Sequence, residues 1–151
     1  MLKWTALFFF VGLSFIMPAS LLAERMTDNW HLIGYTKYRD AVFADAARLG
    51  SPAPGITAIW IKIAPAKRSQ YLRLINEYLR TVHKEAKRFR SIEILCEINC
   101  TNHLIRFTRF VYLDNDRKTI HEAYEARPAQ YLINEGSIWY PVEKEACSKR
   151  K

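Results

Sequence analysis

The sequence predicts an α+β domain: an antiparallel β-sheet of about five or six strands, one long amphipathic helix packed on it, and a short C-terminal helix. Three observations carry that prediction. Residues 91–100 set Ile94, Cys96, Ile98 and Cys100 on one side of an extended chain and Glu93, Glu97 and Asn99 on the other. That alternation belongs to a half-buried strand. Residues 56–63 are dominated by β-branched side chains with one aromatic, Trp60, and stop before Pro65, as a largely covered central strand does. Between these two segments the apolar period changes to three and four residues, which is helical.

In chain order, residues 30–35 form a plausible first strand, although the alternation of Trp30, Leu32 and Gly34 with His31, Ile33 and Tyr35 leaves its buried face open. A second short strand is expected over residues 41–46. Residues 50–55, Gly-Ser-Pro-Ala-Pro-Gly, read as a loop, because proline and glycine block helix and favour turns. The strand at residues 56–63 follows.

The spacing predicts a helix over residues 67–90. Tyr71, Leu72, Ile75, Tyr78, Leu79, Val82, Ala86 and Phe89 make one apolar stripe. Such a helix is about 35 Å long, enough to cross several strands. Its opposite face carries Arg73, Arg80, Lys84, Lys87 and Arg88, interrupted by Glu77, which is spaced to pair with Arg73 and Arg80. The plain reading of this face is a solvated helix back; the functional reading is a docking face for an anionic partner.

After the strand at residues 91–100, Thr101-Asn102 is expected to turn the chain into a strand over residues 103–113. So short a connection makes the pair antiparallel. Residues 114–117, Asp-Asn-Asp-Arg, make a second tight turn, and residues 118–124 return as the third strand of a meander. A short helix starts at Ser137 or Tyr140, has Pro141 near its first turn and ends around Cys147. Residues 148–151 are a basic tail.

The 151 residues suffice for one domain, half of them hydrophobic and a quarter charged, which fits a packed core and excludes a disordered chain. The net charge of +8 suits either solubility or an anionic partner such as a phospholipid headgroup, a nucleic acid or an acidic protein. Residues 1–23 read as a secretory signal peptide: Lys3, an apolar run over residues 4–17, the breaker Pro18, then small residues up to Ala23. An uncleaved anchor is the alternative, since the apolar stretch is just long enough to span a bilayer. Residues 24–151 then form the single mature domain, exported to the periplasm or the outer cell surface. Export also removes nucleic acid as the usual partner.

An exported chain forms and keeps disulfides. Cys96 and Cys100 are four residues apart in one strand, about 13 Å, whereas bridged Cα atoms lie within about 7 Å. Cys147 must therefore pair with one of them, leaving the other buried and free. A metal site at Cys96 and Cys100 needs more ligands than one distant cysteine supplies.

No other chemistry is signalled. His31, His83, His103 and His121 are scattered without zinc spacing, and no nucleophile motif or phosphate-cradling glycine loop is present. Asp114 and Asp116 open like a calcium loop, but Lys118 occupies the next ligand position. Asp45, Glu93, Glu97 and Glu122 are the carboxylates a folded chain might gather, though their spacing gives no reason for it. Cys100 stands at the centre of the sequon Asn99-Cys100-Thr101 and serves better in a bridge. No metal, cofactor or catalytic residue is expected.

The segment 93–100, the Tyr112-Leu113-Asp114 turn, Gly136-Ser137-Ile138-Trp139 and the terminal Cys147 together resemble the bacterial surface-adhesin protein E family. Phe43-Ala44-Asp45 is similar to that family's aromatic-x-Asp element, and Ile59-Trp60-Ile61-Lys62 to its tryptophan-containing strand. The resemblance runs from Trp30 to Cys147. It implies an exported antiparallel-sheet protein of Gram-negative bacteria, a Cys100–Cys147 disulfide with Cys96 left as the free buried thiol, and an adhesin-like function. Cys96, the length of the expected helix and Glu135 before the Gly-Ser pair depart from the family pattern. Two classes of function follow. One is a non-catalytic envelope binding module that contacts a protein or an anionic surface. The other is a small periplasmic hydrolase or enzyme inhibitor with a site in a cleft.

Overall fold

A computed structural model of the chain describes residues 29–82 and 86–148, so the expected signal peptide at residues 1–23, His83, Lys84 and the end of the basic tail lie outside the described residues. Among the described residues seven strands make one antiparallel sheet. They are β1 (Trp30–Tyr35), β2 (Ala41–Ala53), β3 (Ile56–Ala64), β4 (Phe89–Asn99), β5 (Leu104–Asp114), β6 (Thr119–Tyr124) and the two-residue β7 (Tyr131–Leu132). The first six lie side by side in sequence order, and β7 pairs with the free stretch of β5. Helix α1 (Gln70–Val82) and a 3-10 turn at Ala86–Arg88 connect β3 to β4, and helix α2 (Trp139–Ser148) closes the chain.

Period-two patterning sets the register. Ile59, Ile61 and Ile63 of β3 and Ile92, Ile94, Cys96 and Ile98 of β4 are all buried. In the pairing, Ile59 faces Cys96 and Ile61 faces Ile94. Ile75 and Leu79 of α1 and Val142 and Ala146 of α2 complete the core on this inner side of the sheet. Among the described residues no helix supplies core residues to the outer side, which carries Trp30, Phe43, Trp60, Lys62, Glu93 and Arg109, all half-buried.

Three boundaries differ from the sequence expectation. Helix α1 is 13 residues long rather than 24. Its start is fixed by Ser69, whose Oγ accepts the Leu72 N–H at 2.9 Å, so Lys67 and Arg68 precede it in a turn. Ala86 and Phe89 are buried as the apolar spacing required, but Phe89 does so as the first residue of β4, opposite Asp114. Strand β2 continues to Ala53 and absorbs most of the expected loop; only Pro54 and Gly55 turn, with Gly55 at φ 80°. Pro52 is tolerated because β1 pairs only with residues 41–45, leaving the far half of β2 an edge strand. The β4–β5 connection takes four residues, with the Asn99 side chain accepting the N–H groups of Thr101 and Asn102, and His103 sits in it at φ 56° rather than in the strand.

Candidate functional site

The exposed side of α1 is where the sequence places its anionic-partner face. Gln70, Arg73, Glu77 and Arg80 recur at helical spacing and are all exposed, opposite the buried Ile75 and Leu79. Lys67 and Arg68, exposed in the turn before the helix, line the same surface depression as Arg73, Glu77 and Arg80. Four cations thus share a surface with one carboxylate. Glu77 forms no ion pair with Arg73 or Arg80 among the described residues, contrary to the spacing argument. The other members of the expected face separate from it. Lys87 is exposed in the 3-10 turn. Arg88 is committed to Asp114 through an ion pair of 2.9 Å. Lys84 is outside the described residues.

The outer sheet face makes an instructive contrast. Arg48 lies 5.0 Å from the Trp30 ring and 5.2 Å from the Trp60 ring, Lys62 reaches Trp30 and Phe43, and Arg109 reaches Trp60 and Tyr124. Carboxylates match these cations. Arg48 pairs with Asp45 at 2.5 Å and with Glu93 at 3.7 Å, Arg106 with Glu97, and Arg109 with Glu122. Two of the four scattered carboxylates, Asp45 and Glu93, therefore do meet, but around an arginine. Burial raises the Glu93 pKa, against the pull of Arg48 and Lys62. The Arg109 and Tyr124 hydrogen bonds lower that of Glu122. This face is closed on itself by cation–π contacts and ion pairs.

The third feature is the attachment of α2. A disulfide joins Cys100, just past β4, to Cys147, with Cα atoms 5.9 Å apart. His103 Nδ1 lies 2.8 Å from Oε1 of the buried Glu143, a second tie between the β4–β5 turn and the helix. Cys96 is a free, fully buried thiol whose pKa burial pushes well up. Among the described residues no three His, Cys, Asp or Glu side chains gather as a metal set.

One feature escaped sequence reasoning. A cleft of about 490 Å³ opens on the inner side of the sheet, between Tyr71 of α1 and Trp139 of α2. Its floor comes from three strands, with Phe107 and Phe110 of β5 brought to one side by a register shift in the β4–β5 pairing, so no local run announces it. The available signal was the excess of large aromatic residues, Phe107, Phe110 and Trp139, on positions facing the core side.

No protein-family model matches the chain, and no curated protein matches it by sequence. Its fold does match solved structures of protein E from Haemophilus influenzae. The selenomethionine form, a second structure and one from a non-typeable strain each align at a TM-score of 0.51 and 16% identity over 78% of this chain, covering 86%, 83% and 75% of theirs. At that identity the likeness is one of fold: the chain has a protein E-like fold.

Proposed function

We propose that the chain is an exported, non-catalytic binding domain of a Gram-negative cell envelope, adhesin-like in the sense of the family it resembles, with the exposed side of α1 as its contact surface for an anionic partner. One observation carries this reading. The cations of the outer sheet face are matched by carboxylates, while Lys67, Arg68, Arg73 and Arg80 are grouped around Glu77 alone and have no ion pair among the described residues. A field of one sign steers anionic partners. The signal-like order of residues 1–23 and the Cys100–Cys147 disulfide support export to the periplasm or the outer surface.

The hydrolase or inhibitor reading has one observation in its favour, the cleft. Its lining argues for binding over catalysis. Asp40, the carboxylate there, accepts hydrogen bonds from Thr36 Oγ1 at 2.8 Å and the Ala66 N–H at 2.9 Å. The Ser137 hydroxyl donates to the Asn134 carbonyl.

Heparin serves as the polyanion probe. The wild-type chain is expected to be retained on immobilised heparin at about 0.15 M salt and released as screening increases. A variant carrying Lys67→Glu, Arg68→Glu, Arg73→Glu and Arg80→Glu should pass unretained. Equal retention of the two proteins would remove α1 as the contact surface.

A further inference from the structure

We infer that the cleft between α1 and α2 is a binding site for a single-chain anionic amphiphile, its apolar tail on the sheet floor and its carboxylate at Lys37. The floor is Ile63 of β3, Ile94 of β4, and Phe107 and Phe110 of β5, and Ile138 and Trp139 form the α2 side. Tyr35 at the end of β1, with Lys37 and Tyr38 of the turn to β2, makes the rim. A volume of about 490 Å³ is in the range of pockets that hold one small molecule. Two packed helices keep it open, since Ile75 and Leu79 anchor α1 in the core and the disulfide anchors α2.

The polar groups decide the head group. Asp40 and Thr36 are occupied with each other and with backbone N–H groups, and Ser137 is occupied by Asn134. Among the donors left in the lining, which include the Tyr35 and Tyr38 hydroxyls at the exposed rim and the Trp139 indole N–H, two bear on the head group. The Lys37 side chain is exposed, with its ammonium 5.0 Å from the centre of the Tyr38 ring and no carboxylate partner among the described residues. The Tyr71 hydroxyl has no hydrogen-bond partner among the described residues and is not sealed from solvent, and Tyr71 is one of the residues that line the cleft. Burial raises its pKa, so it stays a neutral donor at physiological pH. A cation and a neutral donor without an acceptor of their own select an anionic, acceptor-rich head on an apolar body.

The test uses the full, disulfide-bonded chain and dodecanoate below its micelle concentration, followed by calorimetry and tryptophan fluorescence. Binding is expected to saturate at one dodecanoate per chain, with dodecanol about tenfold weaker for want of the charged head. Lys37→Gln should bring dodecanoate down to the level of dodecanol. Tyr71→Phe, which removes only a hydroxyl, should weaken dodecanoate and dodecanol alike by severalfold, since an alcohol oxygen also accepts from it, and so leave the preference for the acid in place. Absence of saturable uptake overturns the assignment, as does equal affinity for acid and alcohol with neither variant changing it. Uptake only after removal of residues 1–23 would give the cleft to that apolar segment instead. Displacement of dodecanoate by vesicles of phosphatidylglycerol at lower concentration than by free acid would give it to a two-chain lipid.

Discussion

Cys147, in the last turn of α2, is bonded to Cys100, the first residue beyond β4, although 47 positions separate them. The bond ties the C-terminal helix to the centre of the sheet, because β4 pairs on both sides. On the chain-entropy argument, closing a loop of that length stabilises the fold by about 4 kcal/mol. Cys100→Ser and Cys147→Ser should each lower the unfolding free energy by a similar amount of that order, since either change opens the same loop. Cys96 should behave differently. It is fully buried and its thiol is held protonated, so iodoacetamide should label no cysteine in the native protein and one in the denatured, unreduced protein. Cys96→Ala should keep the disulfide. A native protein that labels at Cys96, or a Cys96→Ala variant that loses the bridge, would contradict this arrangement.

Arg48 holds the open side of the sheet together. It lies against two tryptophan rings and pairs with Asp45, which is itself buried. Arg48→Met keeps the stem but leaves Asp45 with only the Ala47 N–H. Losing two cation–π contacts and the partner of a buried carboxylate should cost about 2 kcal/mol in denaturant unfolding. The double variant Arg48→Met/Asp45→Asn should recover part of that loss, because no unpaired charge is then buried. A double variant less stable than the single one would refute the pairing account.

Ser69 defines where α1 begins, and Ser69→Ala should cost about 1 kcal/mol by freeing the Leu72 N–H. The loss should be local, with faster hydrogen exchange in α1 and little change in β3 and β4. Uniform acceleration across the sheet would show that α1 and the sheet open as one unit.

The same residue explains where the sequence was legible and where it was not. Alternation in residues 91–100 named β4 and its buried side, because a strand with one covered face writes its register into every second residue. The helical period named α1, but it overran at both ends. Ala86 and Phe89 bury toward the same core whether the backbone is helical or extended, so burial spacing alone does not mark a helix end. Only the Ser69 cap and the 3-10 turn mark it. The basic face was partly legible: Arg73 and Arg80 share it, while Arg88 is drawn off to Asp114, 26 residues away, a pairing that no local pattern encodes. The cleft was not legible, since Tyr71, Ile94 and Trp139 come together only after the sheet is assembled.

Asp114 should give the fold a measurable acid response. Its Oδ1 accepts the Asp116 N–H at 2.8 Å and the Lys118 N–H at 2.9 Å, and its Oδ2 faces Arg88. The Lys118 N–H, then the Asp116 N–H and Arg88, hold its carboxyl below the usual range. A carboxyl whose folded value is depressed contributes stability that is complete above the unfolded value, about 3.9. That contribution is lost as the pH falls through the lower folded value. Asp114→Asn can still accept at Oδ1 but offers Arg88 no anion. It should therefore be less stable than the wild type at neutral pH, with the gap narrowing below about pH 4. Glu93 provides the opposite sign. Burial raises its folded pKa, so its ionisation works against the fold as the pH rises above the unfolded value of about 4.3. The stability of wild type relative to Glu93→Gln should accordingly fall as the pH rises from 4. Unfolding free energies measured between pH 2.5 and 7 distinguish the two carboxylates by slope. A constant gap for Asp114→Asn across that range would mean that its hydrogen bonds do not perturb its ionisation.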